Sequence, residues 1–326
     1  MELKNSRVLV IGGAGFIGAF VVKELLKEDI KEVIIYDNFT RGNMDNIKEN
    51  LEDDRCSIFE LGGDVRDTDV LDAAMKDIDY VFHLAAMWLL HCKDFPRTAF
   101  NVNIAGTFNV LEACVKNNVK KLIYSSSASV YGDAVELPMT EDHPFNNKNF
   151  YGATKIAGEA MCTAFNDRYG LSIIGLRYMN VYGRGQDQTA AYTGVVPIML
   201  NKIEANESPI INGDGSQAYD FIYVEDVARC NIAAVKSDVE LGFYNVGTEV
   251  QTSIKTLCET ILNLKDSSIE VIYKPYSEND ARALVQNRIG SKVRAENELG
   301  FKYKYSLIEG LQLLIDWRKS VGIDKK

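Results

Sequence analysis

The chain has 326 residues, with 36 lysine and arginine residues against 46 aspartate and glutamate residues, which gives a formal net charge of −10. This length exceeds the usual size of a single hydrophobic core, so we expect either two lobes or one large α/β domain with an appended lobe. The negative charge argues against nucleic acid or an anionic membrane as the main partner, because both attract basic proteins.

Cysteine and histidine spacing gives no indication of a metal site. The six cysteines include no C-x-x-C pair, and His83, His91 and His143 lack the spacing of metal ligands. We therefore expect reduced thiols rather than a disulfide framework. The first residues form no apolar signal core, and no apolar stretch reaches membrane-spanning length. The sequence predicts a soluble, cytoplasmic protein.

The first predicted element is a buried parallel strand at residues 7–11, followed by the run Gly-Gly-Ala-Gly-Phe-Ile-Gly at residues 12–18 and a helical pattern to about Leu26. Glycines at three of these positions permit a tight turn, let the backbone approach a pyrophosphate, and let the helix pack closely on its strand. The spacing differs by one residue from the common G-x-G-x-x-G. The pattern predicts a dinucleotide-binding turn.

A second apolar strand at residues 32–36 ends in Asp37, about twenty residues beyond the glycines, where a carboxylate can hold an adenosine ribose. A carboxylate accepts hydrogen bonds from two free ribose hydroxyls and repels a 2′-phosphate, so it favours NAD over NADP. Arg41 lies four residues further on, and we interpret it as a residue at the rim of the site.

Strand-like runs at residues 56–61, 80–85, 121–126 and 171–178 alternate with helical patterns at residues 69–75, 100–117 and 152–169. This alternation predicts an α/β fold with a Rossmann-like doubly wound parallel sheet, whose ligands gather at the carboxyl ends of the strands. Residues 1–178 are therefore predicted to form an NAD-binding domain. Residues 179–326, with a late helix at about 306–318, are predicted to form mainly a smaller substrate-binding lobe, with some segments returning to the first domain.

Tyr151 and Lys155 are four residues apart, which puts both side chains on one face of a helix. An ammonium group beside a phenol can lower its pKa, normally about 10, toward the operating pH, and so make Tyr151 a general acid and base. Alone, such a pair is usually an ordinary helix contact. Its position after the dinucleotide motif and the serines at 125–127 favours a redox site.

Taken together, the motifs resemble those of the extended short-chain dehydrogenase/reductases that act on nucleotide sugars, and the resemblance covers nearly the whole chain. The matching segments are residues 12–18, 64–65, 83–86, 101–107, 125–132, 151–155, 176–183 and 220–227. The resemblance implies that Tyr151 is the catalytic base, that Lys155 binds the nicotinamide ribose and tunes Tyr151, and that Ser127 hydrogen-bonds the reacting sugar oxygen.

The resemblance also implies the residues that contact the ligands. The NAD contacts are Gly12, Gly15, Phe16, Ile17, Asp37, Asn38, Asp64, Val65, Leu84, Ala85, Ala86, Asn103, Ser125, Tyr151, Lys155 and Val181. The expected contacts to a UDP-sugar or related nucleotide-diphosphate sugar are Ser127, Asn180, Val196, Arg282 and Arg288. The last two are candidates because Tyr219 stands where many relatives have the arginine that clamps the diphosphate, and we favour Arg282 over Arg288 for that contact.

The residues after the serines indicate which reaction is expected. Sugar 4,6-dehydratases have Thr-Asp-Glu at this place, whereas this chain has Ser127-Ala128-Ser129, which is similar to sugar 4-epimerases. We therefore expect an NAD-dependent epimerase acting at carbon 4 of a UDP-hexose, or of its uronic or N-acetylated derivative, through a transient 4-keto sugar. The alternatives are a dehydratase or reductase on the same scaffold, or a non-catalytic NAD-sensing protein. The resemblance further implies a homodimer built on the helices near residues 100–117 and 152–169.

Overall fold

The computed structural model describes residues 2–187, 194–276 and 285–323. Its strands, numbered in chain order, are β1 (Arg7–Ile11), β2 (Glu32–Tyr36), β3 (Cys56–Ile58), β4 (Tyr80–His83), β5 (Lys121–Ser127), β6 (Ser172–Tyr178), β7 (Asn180–Tyr182), β8 (Ile210–Asn212), β9 (Ala218–Tyr223), β10 (Leu241–Val246), β11 (Gln251–Ser253), β12 (Ile272–Lys274) and β13 (Asn287–Arg288).

The α-helices of the described residues are α1 (Phe16–Leu25), α2 (Met44–Ile47), α3 (Thr68–Ala74), α4 (Leu89–Asp94), α5 (Pro96–Ala99), α6 (Gly106–Lys116), α7 (Phe150–Tyr169), α8 (Val195–Glu204), α9 (Val224–Lys236), α10 (Ile254–Leu264), α11 (Val293–Leu299) and α12 (Leu307–Ser320). A π-helical segment, Phe100–Ala105, leads into α6, and short 3-10 turns occur at Asn50–Glu52 and Ala128–Val130.

The main sheet is parallel, with the strand order β10-β6-β5-β4-β1-β2-β3. Successive residues of a strand point to opposite faces of the sheet. Because helices cover both faces, β1 is apolar on both sides. Val8 and Val10 pack with the buried faces of α1 and α9, while Leu9 and Ile11 pack with α3, α6 and α7. The predicted doubly wound parallel sheet is confirmed.

Some element ends differ from the sequence predictions. Strand β4 stops at His83 rather than at residue 85, because the backbone N–H groups of Leu84 and Ala85 both donate to the carbonyl oxygen of Ile11 and turn the chain out of the sheet. Helix α7 begins at Phe150, where the side chain of Asn149 caps it by accepting from Gly152 N at 2.8 Å.

The second half of the chain builds a smaller layer of structure beside this sheet. Strand β9 pairs with β7, β11 and β13, and β8 pairs with β12. Helices α8, α10 and α12 cover these strands and share a core that includes Leu200, Leu257 and Leu314. However, α9 packs against α1, and β10 is the edge strand of the main sheet. We propose that the boundary between the two domains lies at residue 178, and that α9 and β10 return to the first domain.

Two further observations concern the described residues as a whole. All six cysteines are buried and free of disulfide bonds. Within the ranges described above, no helix has the length and apolar character needed to cross a lipid bilayer.

Candidate active site

One large cavity of about 1710 Å³ lies where the carboxyl ends of the main strands face the smaller layer. Its volume exceeds the 300–1,000 Å³ that is usual for a site holding one small ligand, so it has room for a dinucleotide and a second ligand together. The lining extends from the glycine-rich turn through Tyr151 to β7, α8 and Arg288. Most of the site residues predicted from the sequence therefore line a single continuous cavity.

The glycine-rich turn requires its glycines for steric reasons. Gly12 has a φ of +83°, and a Cβ atom there would lie 2.7 Å from the backbone nitrogen of Ala85. A Cβ atom on Gly18 would lie 2.1 Å from the carbonyl oxygen of Gly12. The turn leads directly into α1, whose N-cap residue Gly15 makes no side-chain capping bond. The first N–H groups of α1 thus meet no capping side chain, as a pyrophosphate site requires.

Asp37 lies at the end of β2 and lines the cavity. Its carboxylate accepts hydrogen bonds from Ala14 N at 3.0 Å and Phe39 N at 2.9 Å. Burial raises the pKa of Asp37, and these backbone N–H groups oppose that rise. The carboxylate is thus fixed in place by the turn itself, in the position expected for a ribose contact.

Asp64 and Asn38 lie beside Asp37 at the same end of the cavity. Arg66 donates to Asp64 at 2.6 Å, and hydrogen bonding by this guanidinium lowers the pKa of Asp64 to about 2. The other predicted NAD contacts that line the cavity are Phe16, Ile17, Val65, Leu84, Ala85, Ala86, Ser125 and Val181. At the rim, the Arg41 guanidinium lies 5.6 Å from the centre of the Trp88 ring.

Asn103, a predicted NAD contact, forms hydrogen bonds within the protein instead of facing the cavity. It is buried in the π-helical segment and does not line the cavity. Its side chain accepts from Met87 N at 2.7 Å and donates to Met87 O at 3.0 Å and to Thr154 Oγ1 at 3.1 Å. Asn103 therefore ties the loop after β4 to helix α7, and any contact with NAD stays a prediction.

Tyr151 and Lys155 project from α7 toward the end of β5, and both line the cavity. The Lys155 ammonium donates to the carbonyl oxygen of Ser125 at 2.6 Å and lies 5.7 Å from the centre of the Tyr151 ring. Further along α7, Glu159 accepts from Ser126 Oγ at 2.5 Å and from Arg177 at 2.7 Å. These buried contacts fix the register of α7 against β5 and β6, and so fix both side chains.

Burial dominates the electrostatics of this pair. It raises the pKa of the Tyr151 phenol to about 12, although a hydrogen bond with Ser127 and the charge of Arg288 lower it. Burial also lowers the pKa of Lys155 to about 8. The sequence predicted that the lysine would bring the phenol toward neutral pH. That prediction is wrong for the protein alone: desolvation of the phenolate dominates, and the groups that lower the pKa of Tyr151 are Ser127 and Arg288 rather than Lys155.

Ser127 is the last residue of β5 and lines the cavity, with its hydroxyl accepting from Ser129 N at 3.1 Å. Asn180 of β7 and Val196 of α8 also line the cavity, and Val196 is almost fully buried. Arg288 of β13 also lines the cavity. Arg282 lies outside the described residues. The structure thus brings together the predicted substrate residues that it describes.

Some lining residues were missed by the sequence analysis. Met87 and Trp88 line the cavity from the loop after β4, and Trp317 and Val321 line it from the end of α12 and just beyond. No local motif marks them, because tertiary packing alone brings the last helix to the site. In the part of the chain that the structure describes, no group of three or more histidine, cysteine, aspartate or glutamate residues is arranged to hold a metal ion.

Comparison with known proteins assigns the chain to a family. The profile of the NAD dependent epimerase/dehydratase family matches residues 8–247. The chain belongs to this family. The resemblance inferred from the motifs is confirmed, and so is NAD as the cofactor. The turn at residues 12–18, the uncapped start of α1 and the fixed Asp37 carboxylate fit this dinucleotide.

The relatives are nucleotide-sugar enzymes. The chain is 36% identical over 316 residues to a putative UDP-glucose 4-epimerase of Methanocaldococcus jannaschii, covering 96% of this chain and 98% of that protein. It is similar to the structure of a UDP-N-acetylglucosamine 4-epimerase from Methanobrevibacter ruminantium M1 in complex with UDP-N-acetylmuramic acid. The identity is 33% and the TM-score is 0.90, and the match covers 98% of this chain and 99% of that protein. It is also similar to the structure of the UDP-glucose 4-epimerase of Thermotoga maritima with UDP-glucose. The identity is 32% and the TM-score is 0.88, and the match covers 97% of this chain and 99% of that protein.

Proposed function

We propose that this protein is an NAD-dependent isomerase that inverts carbon 4 of a UDP-sugar through a transient 4-keto sugar. The observation that supports this most directly is the convergence of Ser127, Tyr151 and Lys155 in one cavity with a dinucleotide-binding turn. The 3-10 turn after Ser127 contains Ala128 and Ser129 but no carboxylate. Elimination of water needs an acid and a base at this place, so the turn favours epimerisation over dehydration.

The chemistry divides between the cofactor and the chain. Bound NAD supplies the hydride acceptor and a positively charged nicotinamide ring. Tyr151 takes the proton from the hydroxyl on carbon 4 and returns it after the ketosugar has turned its other face. Ser127 steadies the reacting oxygen, and Lys155 orients the nicotinamide ribose. Because Tyr151 has a pKa of about 12 in the protein alone, the phenolate requires added positive charge in the filled site.

The substrate side of the cavity supports a nucleotide-diphosphate sugar. Asn180 and Val196 are proposed to contact the diphosphate and the nucleotide, and they line the same cavity as Asp37 and the glycine-rich turn. Tyr219 replaces the arginine that many relatives have, and its hydroxyl donates to the carbonyl oxygen of Val285 at 2.8 Å. Arg282 remains our candidate for the diphosphate contact.

The decisive experiment is incubation of the purified protein with UDP-, dTDP- and GDP-sugars, followed by measurement of isomer ratios by NMR. We expect interconversion of a pair of UDP-sugars that differ at carbon 4, with no NADH released in proportion to product. Steady growth of free NADH would indicate a dehydrogenase instead. Binding of NAD without conversion of any sugar would favour a sensor.

We also propose a homodimer. The segments that contain α6 and α7 expose large apolar side chains, with Phe100 and Phe108 each 41% exposed and Tyr169 56% exposed. Val110 and Leu111 of α6 are fully buried in the core beside the sheet, so they do not contribute to this surface. Sedimentation at micromolar concentration should show a dimer, and Phe108→Asp should shift it toward monomer. Ile308→Asp, on the exposed side of α12, is the matched control.

A further inference from the structure

Two residues that line the cavity, Arg41 and Trp88, take no part in the proposed reaction. The Arg41 guanidinium lies 5.6 Å from the centre of the Trp88 ring, within the roughly 6 Å that is usual for a cation–π contact. Arg41 belongs to the loop after β2, and Trp88 belongs to the loop after β4. Their side chains therefore join two separate loops at the rim of the cavity.

The strand order determines what lies beneath this contact. In the main sheet, β1 lies between β2 and β4 and pairs with both in parallel. The loops that leave β2 and β4 therefore emerge on either side of the glycine-rich turn that leaves β1. A contact between these loops spans the end of β1 and the start of α1, where the pyrophosphate of NAD is expected to bind.

The loop after β2 is anchored to the glycine-rich turn. The backbone N–H of Asn43 donates to the carbonyl oxygen of Ala14 at 3.0 Å. A Cβ atom on Gly42 would lie 2.6 Å from a carboxylate oxygen of Asp37, so the backbone next to Arg41 packs directly on that carboxylate. The Arg41 side chain thus extends from a backbone whose position is fixed by the turn.

The loop after β4 is anchored through Asn103. The backbone N–H of Met87 donates to the Asn103 side chain at 2.7 Å, and the Met87 carbonyl oxygen accepts from that side chain at 3.0 Å. On the other side of Trp88, its carbonyl oxygen accepts from Cys92 N at 3.0 Å, at the start of α4. The buried Asn103 therefore positions the Trp88 ring, although Asn103 itself does not line the cavity.

We propose that Arg41 and Trp88 form a clasp over bound NAD that slows both the entry and the release of the cofactor. The scaffold holds the two loops, whereas the clasp is one contact between two side chains that must separate for a dinucleotide to pass. Because this contact includes no ligand atom, we expect it to change the rates of NAD exchange and not the affinity for NAD. The inference depends on NAD as the cofactor, and not on which sugar is converted.

The test measures cofactor exchange in Arg41→Met, Trp88→Leu and the double variant. Protein loaded with NADH is mixed with excess NAD in a stopped-flow instrument, and the loss of bound-NADH fluorescence gives the release rate. A fluorescence titration gives the affinity for NADH. We expect each single variant to release NADH roughly two- to fivefold faster, as expected for loss of one exposed cation–π contact, with an unchanged affinity. The double variant should be no faster than the faster single variant, because both substitutions remove the same contact.

Conservative variants and a matched control separate the clasp from a folding defect. Trp88→Phe keeps an aromatic ring and Arg41→Lys keeps the charge, so each should retain part of the slow release. Arg294→Met removes another arginine–aromatic contact, in which the guanidinium lies 5.3 Å from the centre of the Tyr244 ring, and neither residue lines the cavity. This control should release NADH at the wild-type rate.

Three results would overturn the inference. Weaker NADH binding in only one of the single variants would show that its side chain contacts the cofactor directly. Additive acceleration in the double variant would show two independent contacts instead of one clasp. Unchanged release in both single variants would show that NAD leaves without passing the clasp. These measurements require no sugar, so failure of the clasp and failure of the proposed reaction are distinguishable.

Discussion

The two ends of the cavity differ in how far the protein itself satisfies their polar groups. At the NAD end, Asp37 accepts two backbone N–H groups, and Asp64 is paired with Arg66. At the substrate end, the Arg288 Nε atom has no partner in the described part of the chain. The two carboxylates of the proposed NAD end are thus held in place before ligand binding, while the first N–H groups of α1 are left for the pyrophosphate, which suits a cofactor that stays bound through many turnovers. The substrate end needs a ligand to complete it, which suits a molecule that binds and leaves in each cycle.

Tyr151 lines the cavity as the proposed catalytic base, and its substitution has the largest expected effect. Tyr151→Phe removes the proposed base and should lower kcat by roughly a hundredfold or more, because general-base deletion typically costs that much. NAD content and thermal stability should stay close to those of the wild-type protein. A variant that keeps most of its activity would show that another group moves the proton.

Ser127→Ala tests the neighbouring contact with the reacting oxygen. We expect a loss of roughly two- to tenfold in kcat, since one hydrogen bond is worth about 0.5–1.5 kcal/mol. The proposed role requires this loss to be smaller than that of Tyr151→Phe and to leave NAD binding unchanged. Ser129→Ala is a control on the same turn, because Ser129 also lines the cavity and contributes only its backbone N–H to the bond with Ser127.

Asp37→Asn tests whether the NAD end sets the choice of cofactor. The wild-type protein should bind NAD at least tenfold more tightly than NADP, because the carboxylate repels a 2′-phosphate. The uncharged variant should narrow that difference several-fold and leave the affinity for UDP unchanged. Equal affinities for NAD and NADP in the wild-type protein would show that Asp37 does not determine the choice between the two cofactors.

The smallest expected effect concerns stability and pH. Burial lowers the pKa of Lys155 to about 8, well below its ordinary value, so the unfolded chain binds more protons than the folded protein above that pH. The charged lysine therefore destabilises the ligand-free fold most below pH 8, and this penalty declines as the pH rises from 8 toward 10. The Tm difference between Lys155→Met and the wild-type protein should shift over that range in favour of the wild type. A constant difference would contradict the assigned pKa.

Local sequence patterns identified most of the residues that line the proposed NAD end of the cavity, because a turn, a helix start and a strand end are contiguous in the chain. The residues that line the cavity include Gly12, Gly15, Gly18, Asp37, Tyr151 and Lys155. The substrate end depends on short strands from distant parts of the chain. Asp133, Tyr219 and Arg288 come together only through the pairing of β9 with β13 and through the loop after β5. No spacing rule relates such residues.

The dependence on distant parts of the chain also explains why the sequence predicted the wrong direction for the pKa shift of Tyr151. Helical spacing correctly put Tyr151 and Lys155 on one face, but spacing contains no information about burial. Desolvation, which depends on the whole surrounding fold, decides the direction of the pKa shift of both groups.

The return of the chain to the main sheet has a consequence for synthesis on the ribosome. Helix α9 and strand β10 emerge only after the segment that builds β7, α8, β8 and β9, yet α9 covers α1 and β10 pairs with β6. A nascent chain that ends at residue 178 therefore leaves an open edge on β6 and an uncovered apolar face on α1. Open strand edges invite pairing with other chains. We expect this intermediate to require either fast completion of synthesis or protection by a chaperone, even though every residue of the catalytic pair has already been made.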